Sequence, residues 1–155
     1  MEPAKALADL IPQAAEGETA AAGAILTMLA SGNPEEQLAT LRALNRVADV
    51  SFWGYMLEYL ATNRWGGAAV EAAPSGSRLQ QALQPKIRAL FLAAPRNGSS
   101  GRAREEALLR GVASTDVQVS RAAIDLAGAS GSPRAVEPLV AALYDSRERV
   151  RLQAA

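Results

Sequence analysis

The chain has 155 residues with 16 Lys/Arg against 16 Asp/Glu, no Cys and no His, and is 49% hydrophobic but only 5% aromatic. Without Cys there is no disulfide and no thiolate chemistry, and without His the commonest general base and metal ligand are missing. High apolar content at zero net charge excludes disorder for most of the chain, and an alanine-rich composition favours closely packed helices over sheets.

The length suits one domain with a real core. No apolar run approaches a membrane span, and no signal-peptide core follows Glu2, Lys5 and Asp9, so the expectation is a cytoplasmic protein. The charge is unevenly placed. Residues 1–80 carry 5 Lys/Arg and 9 Asp/Glu, a net of −4, whereas residues 81–155 carry 11 and 7, a net of +4. Such asymmetry marks either an anionic partner or repeats with different solvated faces.

In chain order, residues 3–15 read as a helix with Leu7, Leu10, Ile11 and Ala14 on one side and an interruption at Pro12. Residues 18–30 give a second, with Ala22, Ile25, Leu26 and Leu29 inward. Ser31-Gly32-Asn33-Pro34 is a turn and cap, and Glu35 and Glu36 suit the first turn of a third helix, 34–47. Its stripe is Leu38, Leu41, Leu44 and Val47. A fourth helix, 51–62, is apolar nearly all round (Phe52, Trp53, Met56, Leu57 and Leu60, extended by Tyr55 and Tyr59), so it is expected between neighbours.

Residues 63–77 are an irregular connection with a helix-compatible piece from Ala68 to Ala73. Helical pattern returns at 78–83, breaks at Pro85, and resumes with Ile87, Leu90, Phe91 and Ala94. Pro95 to Gly101 is expected as an exposed loop. Helices follow at 102–112 (Leu108, Leu109 and Val112 inward) and 116–128 (Val119, Ala123, Leu126 and Ala127). The next, 133–143, has Ser132 as N-cap and Pro133 at its first position, with Val136, Leu139, Val140 and Leu143 as the stripe. Asp145-Ser146 caps a last run, 146–155, with Val150 and Ala154 inward.

These last pieces recur at a spacing of 31. Leu108, Leu109 and Val112 map onto Leu139, Val140 and Leu143, and Val119 and Ala123 onto Val150 and Ala154. A period in this range is the signature of a solenoid. The segment Asp116 to Gly128 resembles the first helix of a bacterial HEAT-like repeat, the type noted in phycobilisome lyase subunits. Gly131 to Leu139 resembles its second helix, and Asp145 to Ala155 the start of the next copy. The resemblance covers about 102–155, extends to 85–101, and over 18–62 rests on the helix-pair layout and Asn33-Pro34-Glu35.

The resemblance implies an all-α fold, a right-handed α-solenoid of antiparallel helix pairs with about 8–9 helices. It would have divergent N-terminal helices at 1–62 and HEAT-like units at 78–155. The last unit lacks its partner helix, which suggests a fragment of a longer repeat protein. Most such proteins bind proteins on a concave face; some assist bilin lyases, and one branch acts on damaged DNA.

No catalytic, metal or cofactor residue is assigned. There is no Gly-x-Ser-x-Gly and no phosphate-binding loop. Glu35-Glu36 and Glu105-Glu106 are carboxylate pairs in first turns, where the helix dipole explains them. Gly98-Ser99-Ser100-Gly101 before a helix suits an anion but reads better as a connection.

Binding candidates come from two groups. Tyr55, Tyr59, Arg64 and Trp65 cluster with Trp53 in a chain poor in aromatics, either as interface anchors or as a larger local core. Trp53 itself is read as core. Arg102, Arg104 and Arg134 fall on helices that the resemblance places on the concave side, facing an acidic peptide. Nucleic acid is disfavoured, because the chain is neutral, Lys is nearly absent and Glu105, Glu106 and Glu137 are interleaved. The leading expectation is a non-enzymatic scaffold that binds another protein or peptide. The alternatives are an accessory subunit of a bilin lyase and a nucleic-acid-binding domain.

Overall fold

The computed structural model describes residues 3–70, 77–93 and 98–155. They form helices α1 (Pro3–Ala15), α2 (Thr19–Leu29), α3 (Pro34–Leu44) and α4 (Val50–Thr62), then a minimal hairpin of β1 (Arg64–Trp65) and β2 (Ala68–Ala69). Helices α5 (Ser77–Leu92), α6 (Gly98–Val112) and α7 (Val117–Ser130) follow. A 3-10 turn at Pro133–Ala135 leads into α8 (Val136–Ala142), and α9 is Glu148–Ala154. The fold is all-helical apart from that hairpin, and neighbouring helices pack on one another. Among the described residues no helix is long and apolar enough to cross a membrane.

Local chemistry explains most boundaries. Asn33 Oδ1 accepts from the backbone N–H of Glu35 at 3.0 Å, with Pro34 in the first turn where no bond is lost. Asp116 does the same for α7, accepting from Gln118 N at 2.8 Å. Gly131, at φ 68°, ends α7 in the left-handed conformation that glycine adopts without strain.

Helix α4 is the hub. It touches α1, α5, α6, α7 and β1, and Phe52, Trp53, Met56, Leu57 and Leu60 are all buried. The Phe52, Trp53, Trp65 and Phe91 rings meet edge to face at 5.3 to 5.7 Å, filling the space that alanines leave elsewhere. The expectation that α4 lies between neighbours, with Trp53 in the core, agrees with this placement.

Several expectations are corrected. Helix α5 runs through Pro85 rather than breaking there. Pro85 removes one N–H and deprives the carbonyl four residues back, at Gln81, but Gln81 is exposed and water can take that bond. Buried Leu83 before the proline and buried Ile87, Leu90 and Phe91 after it hold both halves on one core. Pro12 is likewise absorbed within α1.

Ala68 and Ala69 are in a strand, not a helix. Gly66 and Gly67, both at positive φ, make the tight turn between β1 and β2. Glu58 fixes it, its two carboxylate oxygens each accepting a backbone N–H, from Gly66 and Gly67, at 2.8 Å. The rest of the Ala68–Ala73 piece from residue 71 on, and Ala94 to Asn97, lie outside the described residues. Gly98 to Gly101 belong to α6 rather than to a loop, with Ser100 and Gly101 buried. Helix α3 ends at Leu44, and Leu38 is exposed.

The largest correction concerns 133–143. Its start is a 3-10 turn, and its valine and leucine stripe is not the buried side. Val136, Val140 and Leu143 are exposed and Leu139 is half-buried, whereas Ala135 and Ala142 are buried. The face that approaches α6 and α7 is the one with small side chains, which permit close contact. The last helix starts after Arg147 rather than at Ser146. Asp145 accepts from Arg147 N at 2.8 Å, and Val150 is buried as expected.

Candidate functional site

Three of the seven residues singled out for binding are buried and offer a partner no surface. Trp65 is fully covered. Its indole N–H donates to the Ala14 carbonyl at 2.8 Å and pins the hairpin to the end of α1. Tyr59 is 4% exposed on α4, and burial pushes its phenol pKa up. Arg104 is fully buried on α6. Its Nη1 donates to the Leu90 carbonyl at 2.7 Å and to Asn45 Oδ1 at 3.3 Å, and its guanidinium lies over the Trp53 ring. Burial without a carboxylate lowers its pKa. The expectation that Arg104 faces an acidic peptide on an open concave side is corrected: the residue is enclosed, and backbone and amide oxygens, not an acid, accommodate it.

Tyr55 is half-buried and stacks on Trp65 at 5.6 Å between centroids. The aromatic cluster is therefore mainly core. Arg64 is exposed and lines a shallow groove with Ala61, Thr62, Asn63, Asp116 and Gln118.

Arg102 and Arg134 are exposed and share a larger groove of ≈ 1030 Å³, together with Gly98, Ser99, Glu105, Glu106 and the Ser130–Pro133 turn. Much of its polarity is used internally. Ser132 Oγ donates to Glu105 Oε1 at 2.7 Å, and Arg134 lies 3.7 Å from Glu105 and 3.6 Å from Glu106. Arg110 also bonds Glu106, at 3.1 Å. The contacts of Ser132 and Arg134 join α6 to the turn before α8. Among the described residues no group of three or more His, Cys, Asp or Glu could hold a metal ion.

Compared with protein-family models, curated proteins and solved structures, this chain finds no match. Its surface chemistry must therefore be read from the residues themselves.

The surface that sequence reasoning missed lies on the last two helices. Val136 is 60% exposed, Val140 49%, Leu143 41%, and Leu152 on α9 68%. Tyr144, after α8, is exposed as well. Val136, Val140 and Leu143 stand at i, i+4 and i+7, one stripe of a helix turned to solvent. The signal was present in the alanines: Ala135 and Ala142, seven residues apart, line the neighbouring, close-packed flank.

The α8–α9 turn is fixed electrostatically. Asp145 takes two hydrogen bonds from the Arg147 guanidinium, at 3.0 and 3.1 Å, besides the backbone one. These hold its pKa at about 2, below the usual carboxylate range, with the Arg147 side-chain bonds the largest cause and the Arg147 backbone bond next. Arg147 also donates to the Thr115 carbonyl at 3.0 Å, tying this turn to the one before α7.

Proposed function

We propose that the chain is a non-enzymatic protein-interaction scaffold, a right-handed α-solenoid of antiparallel HEAT-like helix pairs. The observation that carries this reading is the open stripe of Val136, Val140 and Leu143 on α8, with exposed Tyr144 following it in the chain. Exposed apolar side chains gathered on one helix face mark interaction surfaces, whereas single ones are ordinary. The 31-residue spacing supports the repeat reading. Gly111 and Ala142, 31 residues apart, are both buried at corresponding places on α6 and α8, and Ala123 and Ala154 both turn toward the core.

Within this reading the grooved side, with Arg102 and Arg134, is a secondary contact for a peptide, and the α8 stripe supplies most of the affinity. The test is affinity capture with the intact chain and with Val140→Glu/Leu143→Glu. Both positions are exposed, so the variant should keep its helical circular dichroism and lose the captured partner. A folded variant that retains every partner sinks the reading.

A further inference from the structure

Residues 132–155, from the turn before α8 through α9, are seated on α6 and α7 by little apolar surface. Ala135, Ala142 and Val150 are the buried residues among them, with Leu139 and Ala154 packed partly against the core. Helix α4 alone buries six. Two of the three are alanines, and their burial contributes little, because apolar stabilisation scales with the area removed from water. Val136, Val140, Leu143 and Leu152 face solvent and add nothing to the seat.

Polar ties take the place of apolar contact, at both ends of α8 and along α9. Before α8, Ser132 Oγ donates to Glu105 Oε1 at 2.7 Å, and Arg134 lies 3.7 Å from Glu105 and 3.6 Å from Glu106. After α8, Arg147 donates to the Thr115 carbonyl at 3.0 Å. On α9, Gln153 Oε1 accepts from Arg121 Nε of α7 at 3.3 Å. The Arg134 side chain is 54% exposed and that of Glu106 37%, so dissolved ions reach this pair and weaken it. The covalent link to α7 is the Ser130–Ser132 turn. Gly131 in that turn has φ 68°, and a Cβ there would meet no atom within 4 Å, so nothing wedges the turn in place.

We propose that residues 132–155 form a flap that closes on α6 and α7 through these ties and opens as a unit about Gly131 while α1–α7 stay folded. A unit with few buried apolar contacts opens at a lower free-energy cost than the core. Opening uncovers Ala135, Ala142 and Val150 together with the α6 and α7 surface that they seal. The chemistry of the ties makes closure depend on ionic strength. Added salt, or loss of charge at Arg134 and Arg147, shifts the flap toward its open state without touching the aromatic core around Trp53. The flap is a property of the free chain and stands whether or not the protein-binding reading does.

The chain has no cysteine, so one introduced thiol reports on one place. Val150→Cys puts it under the flap, and Ile25→Cys, at a fully buried position on α2, gives the reference rate for the core. Both are labelled with excess thiol reagent under native conditions. Val150→Cys is expected to react about tenfold faster or more. Raising sodium chloride from about 50 to about 500 mM should speed it about threefold and leave Ile25→Cys unchanged. Adding Arg134→Gln/Arg147→Gln should speed Val150→Cys about tenfold at low salt and flatten its salt response. Hydrogen exchange of the unsubstituted chain guards against an effect of the thiol itself: peptides from α8 and α9 should exchange together and ahead of those from α4. Equal labelling of the two thiols, or equal protection of the two sets of peptides, overturns the flap. Unrelated exchange rates in α8 and α9 overturn it as well, because they mean fraying rather than a unit. Fast labelling that ignores both salt and the arginine variant overturns the polar latch.

Discussion

The guanidinium carbon of Arg104 lies 4.9 Å from the centre of the Trp53 ring, with both side chains fully buried. That contact joins α4 to α6, and the bond from Arg104 to the Leu90 carbonyl adds the last turn of α5. The end of a helix has unsatisfied carbonyls and a negative partial charge, so a cation there is favourable. Arg104→Ala is expected to lose both the packing on Trp53 and the partner of Leu90, at a cost of about 3 kcal/mol or more. Arg104→Met fills much of the volume and removes the buried charge, and should cost clearly less. Urea unfolding of the three proteins checks this; equal stabilities for the alanine and methionine variants would mean that the volume beside Trp53 contributes little.

Gly111 on α6 lets Leu57 of α4 and Ala123 of α7 approach the α6 backbone closely. A Cβ at this position would lie 2.5 Å from Leu57 Cδ2 on α4 and 3.0 Å from Ala123 Cβ on α7. Helix propensity alone would make Gly→Ala favourable by about 1 kcal/mol. Overpacking reverses the sign, because the Leu57 side chain must move within a filled core, and a net loss of about 1–2 kcal/mol is expected. Leu57→Ala is destabilising by itself through the cavity it leaves, but in the double variant Gly111→Ala should cost much less than it does alone. A double-mutant cycle by thermal unfolding measures the coupling, and additive effects would contradict the contact.

These two positions show what the sequence could and could not tell. Helices with strong caps were legible almost to the residue: Asn33-Pro34 before α3, Asp116 before α7 and Gly131 after it each determine a boundary through one local bond or one backbone conformation. The rule that a larger apolar side chain is an inward one failed on α8. There Ala135 and Ala142 make the close contact, and Val136, Val140 and Leu143 are left outside, because contact distance rather than hydrophobicity chooses the packed face. Arg104 failed for a related reason. Its partners are Leu90, Asn45 and Ser100, brought together only by the fold, and no local pattern announces them. The binding surface was hidden for the same reason, since exposure depends on which neighbours cover a stripe.

Trp65 holds the hairpin against α1 through a single long-range bond to Ala14, with Phe52 and Tyr55 on its ring. Trp65→Phe keeps most of the apolar packing and leaves the Ala14 carbonyl without its indole partner, an expected loss of about 1–2 kcal/mol. Trp65→Ala adds the cavity and should cost about 3–5 kcal/mol. Because Trp65 is enclosed, neither change should weaken partner capture beyond what lost stability explains. A folded Trp65→Phe chain that binds much less would return this residue to the interface.

Asp145 gives the fold a defined response to acid. Its folded pKa of about 2 lies below the ordinary 3.8 of an aspartate, set first by the Arg147 side chain and then by the Arg147 backbone N–H. A depressed folded pKa means that the unfolded chain binds the proton more readily. The stabilisation is therefore complete above the unfolded value and is lost as pH falls from about 4 toward 2. Protonation also releases Arg147, whose remaining bond to Thr115 tethers this turn to the one before α7. Asp145→Asn should thus be less stable than the parent at pH 6 and approach it at pH 2, with the difference closing across that window. Thermal unfolding of both proteins at intervals from pH 6 to pH 2 reads this directly. Parallel stability curves would show that the Asp145 carboxylate does not titrate with folding.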